Sequence, residues 1–217
     1  MNDADLTDRL ALIAAARTMS ARGLAACTSG NVSLRSAAGM LITPSALAYE
    51  DLTPEMIPLV HPDGRFEGLY RPSSEWRFHL DIYAARPEIG GIVHHHAPYS
   101  TALAMARQEI PACHYMIALF GGAPIRCADY ALFGTAALSH AVLRALKDRS
   151  ACLMANHGAV ALGADVGKAL AAATELEILA QHYVLSRQVG GPVLLSAQEI
   201  QDAITQFATA YKPNTGA

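Results

Sequence analysis

Apolar residues recur at helical spacing over residues 5–20, where Leu6, Leu10, Ile13 and Ala14 share one side. Gly23 predicts the stop of that helix. Residues 31–35 and 40–43 then read as two strands around the turn Ser36–Gly39. Thr53-Pro54-Glu55 predicts a helix start, with proline at the first helical position. Residues 57–67 predict a hairpin around Pro62-Asp63-Gly64. Ser73 or Ser74 is expected to cap a helix running to Arg86, stopped by Pro87, with Trp76, Leu80, Tyr83 and Ala84 as its apolar stripe.

A strand is expected from Gly91 to His96, then a helix over 98–107. Residues 113–119 and 125–128 read as strands. Thr135 predicts a cap for a helix burying Leu138, Val142, Ala145 and Leu146. Residues 152–155 and 159–162 read as short buried strands, and Asp165 as the start of a long helix ended by Gly190-Gly191. Ser196 and Glu199 form a capping box before a last helix carrying Ile200, Ile204 and Phe207. Strands and helices are mixed, and several strands are near enough in sequence to pair antiparallel. The pattern predicts an α/β sandwich with helices on both faces of one sheet.

The chain has 217 residues, 52% of them hydrophobic and 16% charged, which excludes disorder and supports a single domain over 1–217. Sixteen basic against 19 acidic residues leave a net charge of −3 and give no sign of a nucleic-acid or anionic-membrane partner. No apolar run approaches the length of a membrane span. The first twenty residues are acidic where a secretory signal is basic. Cys27, Cys113, Cys127 and Cys152 form no C-x-x-C pair and read as reduced thiols of a cytoplasmic protein.

Nine histidines stand out against so few charges, and three are consecutive. On a strand, His94 and His96 point one way and His95 the other. Two imidazoles at i and i+2 form a bidentate metal clamp, and His157, followed by Gly158, is the candidate third ligand of a catalytic zinc site. A surface cluster or hydrogen-bonded core imidazoles are the alternatives. Propensity alone reads Glu75 as a first-turn carboxylate favoured by the helix dipole. The functional reading is a general base, or a carboxylate near the metal. His79, Asp81 and Trp76 read as helix-surface or core residues. Thr28-Ser29-Gly30-Asn31 and Pro72-Ser73-Ser74 are small polar turns able to cradle a phosphate, with Thr43-Pro44-Ser45 as a third side.

The segments TSGNVSLR (28–35), GMLITPS (39–45), PSSEWRFH (72–79), VHHHA (93–97), HYMIA (114–118), LFGT (132–135) and NHG (156–158) follow one another in an order that resembles the class II aldolase/adducin family. The match is closest to its members acting on L-fuculose 1-phosphate. The resemblance implies a three-layer α/β/α sandwich around a mixed, mostly antiparallel sheet. It also implies a homotetramer with sites between subunits. By the family pattern His94, His96 and His157 bind zinc, and Glu75 is the acid/base carboxylate and a further metal ligand. Gly30, Asn31, Ser45, Ala46, Ser73 and Ser74 match the phosphate-holding positions. Tyr115 matches a proton donor supplied by a neighbouring subunit, and Phe133 and Tyr211 match residues near the aldehyde end. Two positions depart from the pattern. Ala46 replaces a glycine, so its Cβ strains the backbone if φ is positive there. His95 replaces an asparagine and is expected to face away.

The activity so implied is reversible cleavage of a ketose 1-phosphate to dihydroxyacetone phosphate and a short aldehyde. L-Fuculose 1-phosphate and 5-deoxy- or 5-methylthio-ribulose 1-phosphate are the candidate substrates. Manganese or cobalt are alternative metals, because imidazole sites accept several. Lys147, Lys168 and Lys212 all fit solvated positions, which leaves no Schiff-base lysine. The rival readings are a pentulose-phosphate epimerase, a methylthioribulose-phosphate dehydratase or a tetronate-phosphate decarboxylase. A non-catalytic adducin-like binding module and a zinc hydrolase stand further off.

Overall fold

A computed structural model describes residues 3–26 and 28–210. Eight strands form one sheet: β1 (Asn31–Ser36), β2 (Gly39–Ile42), β3 (Leu59–Val60), β4 (Phe66–Glu67), β5 (Gly91–His95), β6 (Cys127–Ala128), β7 (Ala151–Met154) and β8 (Gly158–Gly163). Their order across the sheet is β4-β3-β2-β1-β5-β8-β7-β6. Every pairing is antiparallel except β6 with β7. The helices are α1 (Asp3–Ala21), α2 (Trp76–Ala85), α3 (Pro98–Met105), α4 (Ala136–Ala145), α5 (Val166–Gln188) and α6 (Ala197–Ala210).

The alternation of side chains along each strand divides the interior into two cores. Val32 and Leu34 of β1, Leu41 of β2 and Val93 of β5 pack with Leu12 of α1, Leu103 of α3 and Leu176 of α5. Met40, Ile42, Ile92 and Val160 face the other way, onto Phe78 and Ile82 of α2 and Leu138 and Val142 of α4. The sheet is thus covered on both faces, as the pattern predicts. His95, on the α1–α5 side of β5, is fully buried there, away from His94.

Local chemistry sets several boundaries as expected. Thr135 accepts a hydrogen bond from the Leu138 amide, and Ser196 and Glu199 cap each other reciprocally. Asp165 accepts from the Lys168 amide at the start of α5.

Three expectations need correction besides the stripe of α1, where Leu10 and Ala14 are exposed and Leu12, Ile13, Ala16 and Met19 are buried. Residues 113–119 are not a strand: His114 accepts from the Met116 amide and opens a 3₁₀ helix, Tyr115–Phe120, which Gly121 ends at φ 87°. In that apolar run the buried Ile117 and Phe120 are three apart, the repeat of a 3₁₀ turn rather than of a pleat. Thr53-Pro54-Glu55 likewise opens only a single 3₁₀ turn, Pro54–Met56. The helix after Ser73 begins late. Ser73 Oγ accepts from the Glu75 amide, Glu75 itself occupies the cap position, and α2 starts at Trp76. The buried stripe of α2 is accordingly Phe78, His79, Ile82 and Tyr83; Trp76 and Leu80 are half-buried and Ala84 is exposed.

Candidate metal centre and substrate cavity

Four segments meet at one end of the central strands. The first residue of β1, Asn31, pairs with His94 in β5, and His94 pairs on its other side with Val160 in β8. The turn between β7 and β8 carries His157, and the cap of α2 carries Glu75. One ligand atom each from Glu75, His94, His96 and His157 lies within 4.8 Å of all the others.

The orientation of these rings is fixed by the backbone. The Nδ1–H of His94 donates to the Ala159 carbonyl at 2.9 Å. Its Nε2 then faces Glu75 Oε2 at 3.0 Å and His96 Nε2 at 3.0 Å. His157 Nε2 lies 3.2 Å from Glu75 Oε1, an oxygen that is buried yet makes no aligned hydrogen bond. Imidazole nitrogens and a carboxylate converging in this way present lone pairs to one point, the donor set of a divalent metal. The residues present therefore fit a metal such as zinc. Gly158 is required beside them. A Cβ there would stand 2.4 Å from the His95 carbonyl oxygen and 2.7 Å from His96 Cδ2.

The electrostatics agree with the geometry. Burial raises the Glu75 carboxyl, but His94 and His157 more than offset it and hold it well below the usual carboxylate range. Burial, together with His94 and His157, pushes His96 down to about 4. Burial lowers His94 while the Glu75 carboxylate raises it, and the net shift is upward.

A cavity of about 380 Å³ opens over this cluster. Gly30, Asn31, Ser45, Ala46, Ser73 and Ser74 all line it, together with Glu75, His96 and His157. The two serine turns are brought side by side by backbone bonds, from the Ser45 amide to the Arg71 carbonyl and from the Ser73 amide to the Thr43 carbonyl. Asn31 donates to Ser73 Oγ at 3.0 Å and to Glu75 Oε2 at 3.2 Å, joining the small-residue turns to the metal cluster. Ala46 does adopt the left-handed region, at φ 60°. Phe133 also lines the cavity, as do Tyr130 and Ala131.

Tyr115 is not part of this cavity: it is 53% exposed and stacks on Phe207 of α6. Tyr211 and Cys27 lie outside the described residues. Lys147 and Lys168 are exposed and absent from the cavity lining. Tyr130 went unnoticed in the sequence, where one aromatic residue in a loop carries no distinguishing pattern. His79 is the core residue that the sequence allowed, but its bonds were not foreseen. It is fully buried and bonded to Asn31 and Ser33, and its i+4 spacing from Glu75 was the signal available.

Comparison with known proteins finds relatives along most of the chain. Residues 10–184 match the family profile described as "Class II Aldolase and Adducin N-terminal domain". A 5-methylthioribulose-1-phosphate/5-deoxyribulose-1-phosphate aldolase of Rhodospirillum rubrum is 46% identical over 201 residues, covering 93% of this chain and 91% of the relative. An L-fuculose phosphate aldolase of Escherichia coli O6:H1 is 46% identical over 192 residues, covering 88% and 89%. A solved structure of an L-fuculose 1-phosphate aldolase superposes with a TM-score of 0.90 at 34% identity, covering 93% of this chain and 96% of that one.

Proposed function

Because this chain belongs to the class II aldolase and adducin family, we propose that it cleaves a ketose 1-phosphate reversibly to dihydroxyacetone phosphate and a short aldehyde. The observation that carries this reading is the meeting of Glu75 with three histidines beneath a cavity lined by Asn31, four serines and turn backbone. The first carries proton and charge chemistry; the second suits a phosphate.

A divalent metal held by His94, His96 and His157, and by Glu75 before substrate arrives, supplies the Lewis acid that stabilises the charge left on the ketose carbonyl when the C3–C4 bond breaks. We assign zinc, with manganese or cobalt as alternatives. Gly30, Asn31, Ser45, Ala46, Ser73 and Ser74 hold the phosphate, so that binding energy remote from the reacting atoms positions them. In cleavage the C4 hydroxyl gives up its proton to Tyr115 of a neighbouring subunit. Glu75 then delivers a proton to C3, which releases dihydroxyacetone phosphate. Tyr115 passes the O4 proton on to solvent, and Glu75, an ionised carboxylate at rest, takes up from solvent the proton that it delivers to C3, so the balance closes. Phe133 and Tyr211 meet the aldehyde tail. The chain works as one domain and as a homotetramer of the cytoplasm. Among the described residues no helix is long and apolar enough to cross a membrane.

The test is a cleavage assay across ketose 1-phosphates with metal-loaded protein. L-Fuculose 1-phosphate and the 5-deoxy- and 5-methylthio-ribulose 1-phosphates should all be cleaved, because an apolar pocket separates substrates by only ~1–3 kcal/mol per methylene. A 1,5-bisphosphate should be the poorest, since among the described residues no Lys or Arg lines the cavity. A best rate with the bisphosphate would overturn the apolar-tail reading. Glu75→Gln should lower turnover at least ~100-fold while metal is retained by the three histidines. Near-normal turnover in that variant would return Glu75 to a capping role.

A further inference from the structure

A polar chain runs through the core beneath Glu75. Tyr83 Oη lies 3.0 Å from Ser33 Oγ, and Ser33 Oγ lies 2.8 Å from His79 Nδ1. On the other side of the ring, His79 Nε2 lies 2.5 Å from Asn31 Oδ1. The Asn31 amide nitrogen then reaches Ser73 Oγ and Glu75 Oε2. Ser33 and His79 are fully buried, and Asn31 and Tyr83 nearly so. Only one assignment of protons satisfies every member. Asn31 Oδ1 can only accept, so His79 Nε2 carries the hydrogen and Nδ1 accepts from the Ser33 hydroxyl, which in turn accepts from Tyr83. The amide of Asn31 is therefore locked with its NH₂ toward Glu75. Flipped, it would set a carbonyl oxygen against a carboxylate oxygen.

We propose that His79 is a positioning residue for the proton transfer at C3, holding the Asn31 amide so that it donates to and aims the Glu75 carboxylate. The proposal rests on the aldolase reading, and it adds a residue on the far side of Asn31 that touches neither substrate nor metal. Two variants separate the roles of the two ring nitrogens. In His79→Gln the terminal amide reaches the place of Nε2 and keeps the bond to Asn31. In His79→Asn the shorter amide reaches only the place of Nδ1 and keeps the bond to Ser33.

The readout is the rate at which metal-loaded protein exchanges the C3 proton of dihydroxyacetone phosphate with deuterium from solvent. Melting temperature, metal content and a crystal structure of each variant accompany it. His79→Gln should exchange within about 3-fold of the unaltered chain, and His79→Asn should be at least 10-fold slower at equal metal content, mostly in kcat. Its Asn31 amide or Glu75 carboxylate should be displaced. Equal rates for the two variants, or losses that follow melting temperature alone, would overturn the proposal. If His79→Asn does not fold, Ser33→Ala replaces it. That variant frees the tautomer and should slow exchange several-fold, and an unchanged rate would count against the proposal. An unaltered chain that exchanges no proton and cleaves no ketose 1-phosphate would instead defeat the aldolase reading, while the crystal structures would still report on the lock.

Discussion

Ala46 holds a left-handed backbone conformation beside the serine turn, φ 60°, where a side-chain Cβ crowds the carbonyl. The chain tolerates this because the segment is fixed by its neighbours: Ser45 bonds back to Arg71, and Pro44 bridges Pro72. Ala46→Gly should relieve the strain and stabilise the fold by about 1 kcal/mol. For a chain of this length that is a melting temperature about 2–4 °C higher, read by calorimetry. No rise would mean that the glycine's greater freedom in the unfolded chain cancels the relief. The departure at position 46 was marked by the family pattern, and its strain followed only on the condition that φ is positive there, which the fold and not the residue decides. The roles of Asn31 and His79 were not visible. Their partners are set by which residues of β1 and α2 face each other, and an i, i+4 spacing does not report that.

At the scale of elements, the turn between β7 and β8 decides whether the histidines meet. Asn156 takes φ 53°, and Gly158 follows where the His95 carbonyl oxygen leaves no room for a Cβ. Gly158→Ala would force β8 away from β5 at the end where His94, His96 and His157 meet. Metal affinity should fall roughly 10- to 100-fold, checked by titration with a competing chelator, while far-ultraviolet circular dichroism stays the same. Unchanged affinity would show that the turn gives way at no cost to the cluster. The strands and long helices were legible because their apolar periods and caps are strong and local. The start of α2 was placed too early, since serine is a frequent cap, whereas here it bonds a residue that is itself outside the helix. The 113–119 run misled for a related reason: its residues are apolar enough for a strand, but His114 and Gly121 close it into a 3₁₀ turn.

The molecule as a whole leaves one proposed partner of the chemistry outside its own cavity. Tyr115 projects on the surface beside Phe207, half exposed, and the exposed Leu119 lies on the same 3₁₀ helix. If a neighbouring subunit receives that tyrosine, mixing inactive Tyr115→Phe chains with inactive His94→Ala chains should restore part of the cleavage rate. No recovery after proven subunit exchange would mean that each chain builds its own site. The sheet order carries a different consequence, one of timing. His94 sits in the middle strand, laddered to Asn31 on one side and Val160 on the other, segments far apart in the chain. Those long loops must close before Glu75, the histidine pair and His157 come together, and closing them is the slow, entropically costly part of acquiring this topology. The full ligand set therefore exists only once those loops have closed, so a metal bound there weights the equilibrium toward the closed chain and should chiefly retard its unfolding.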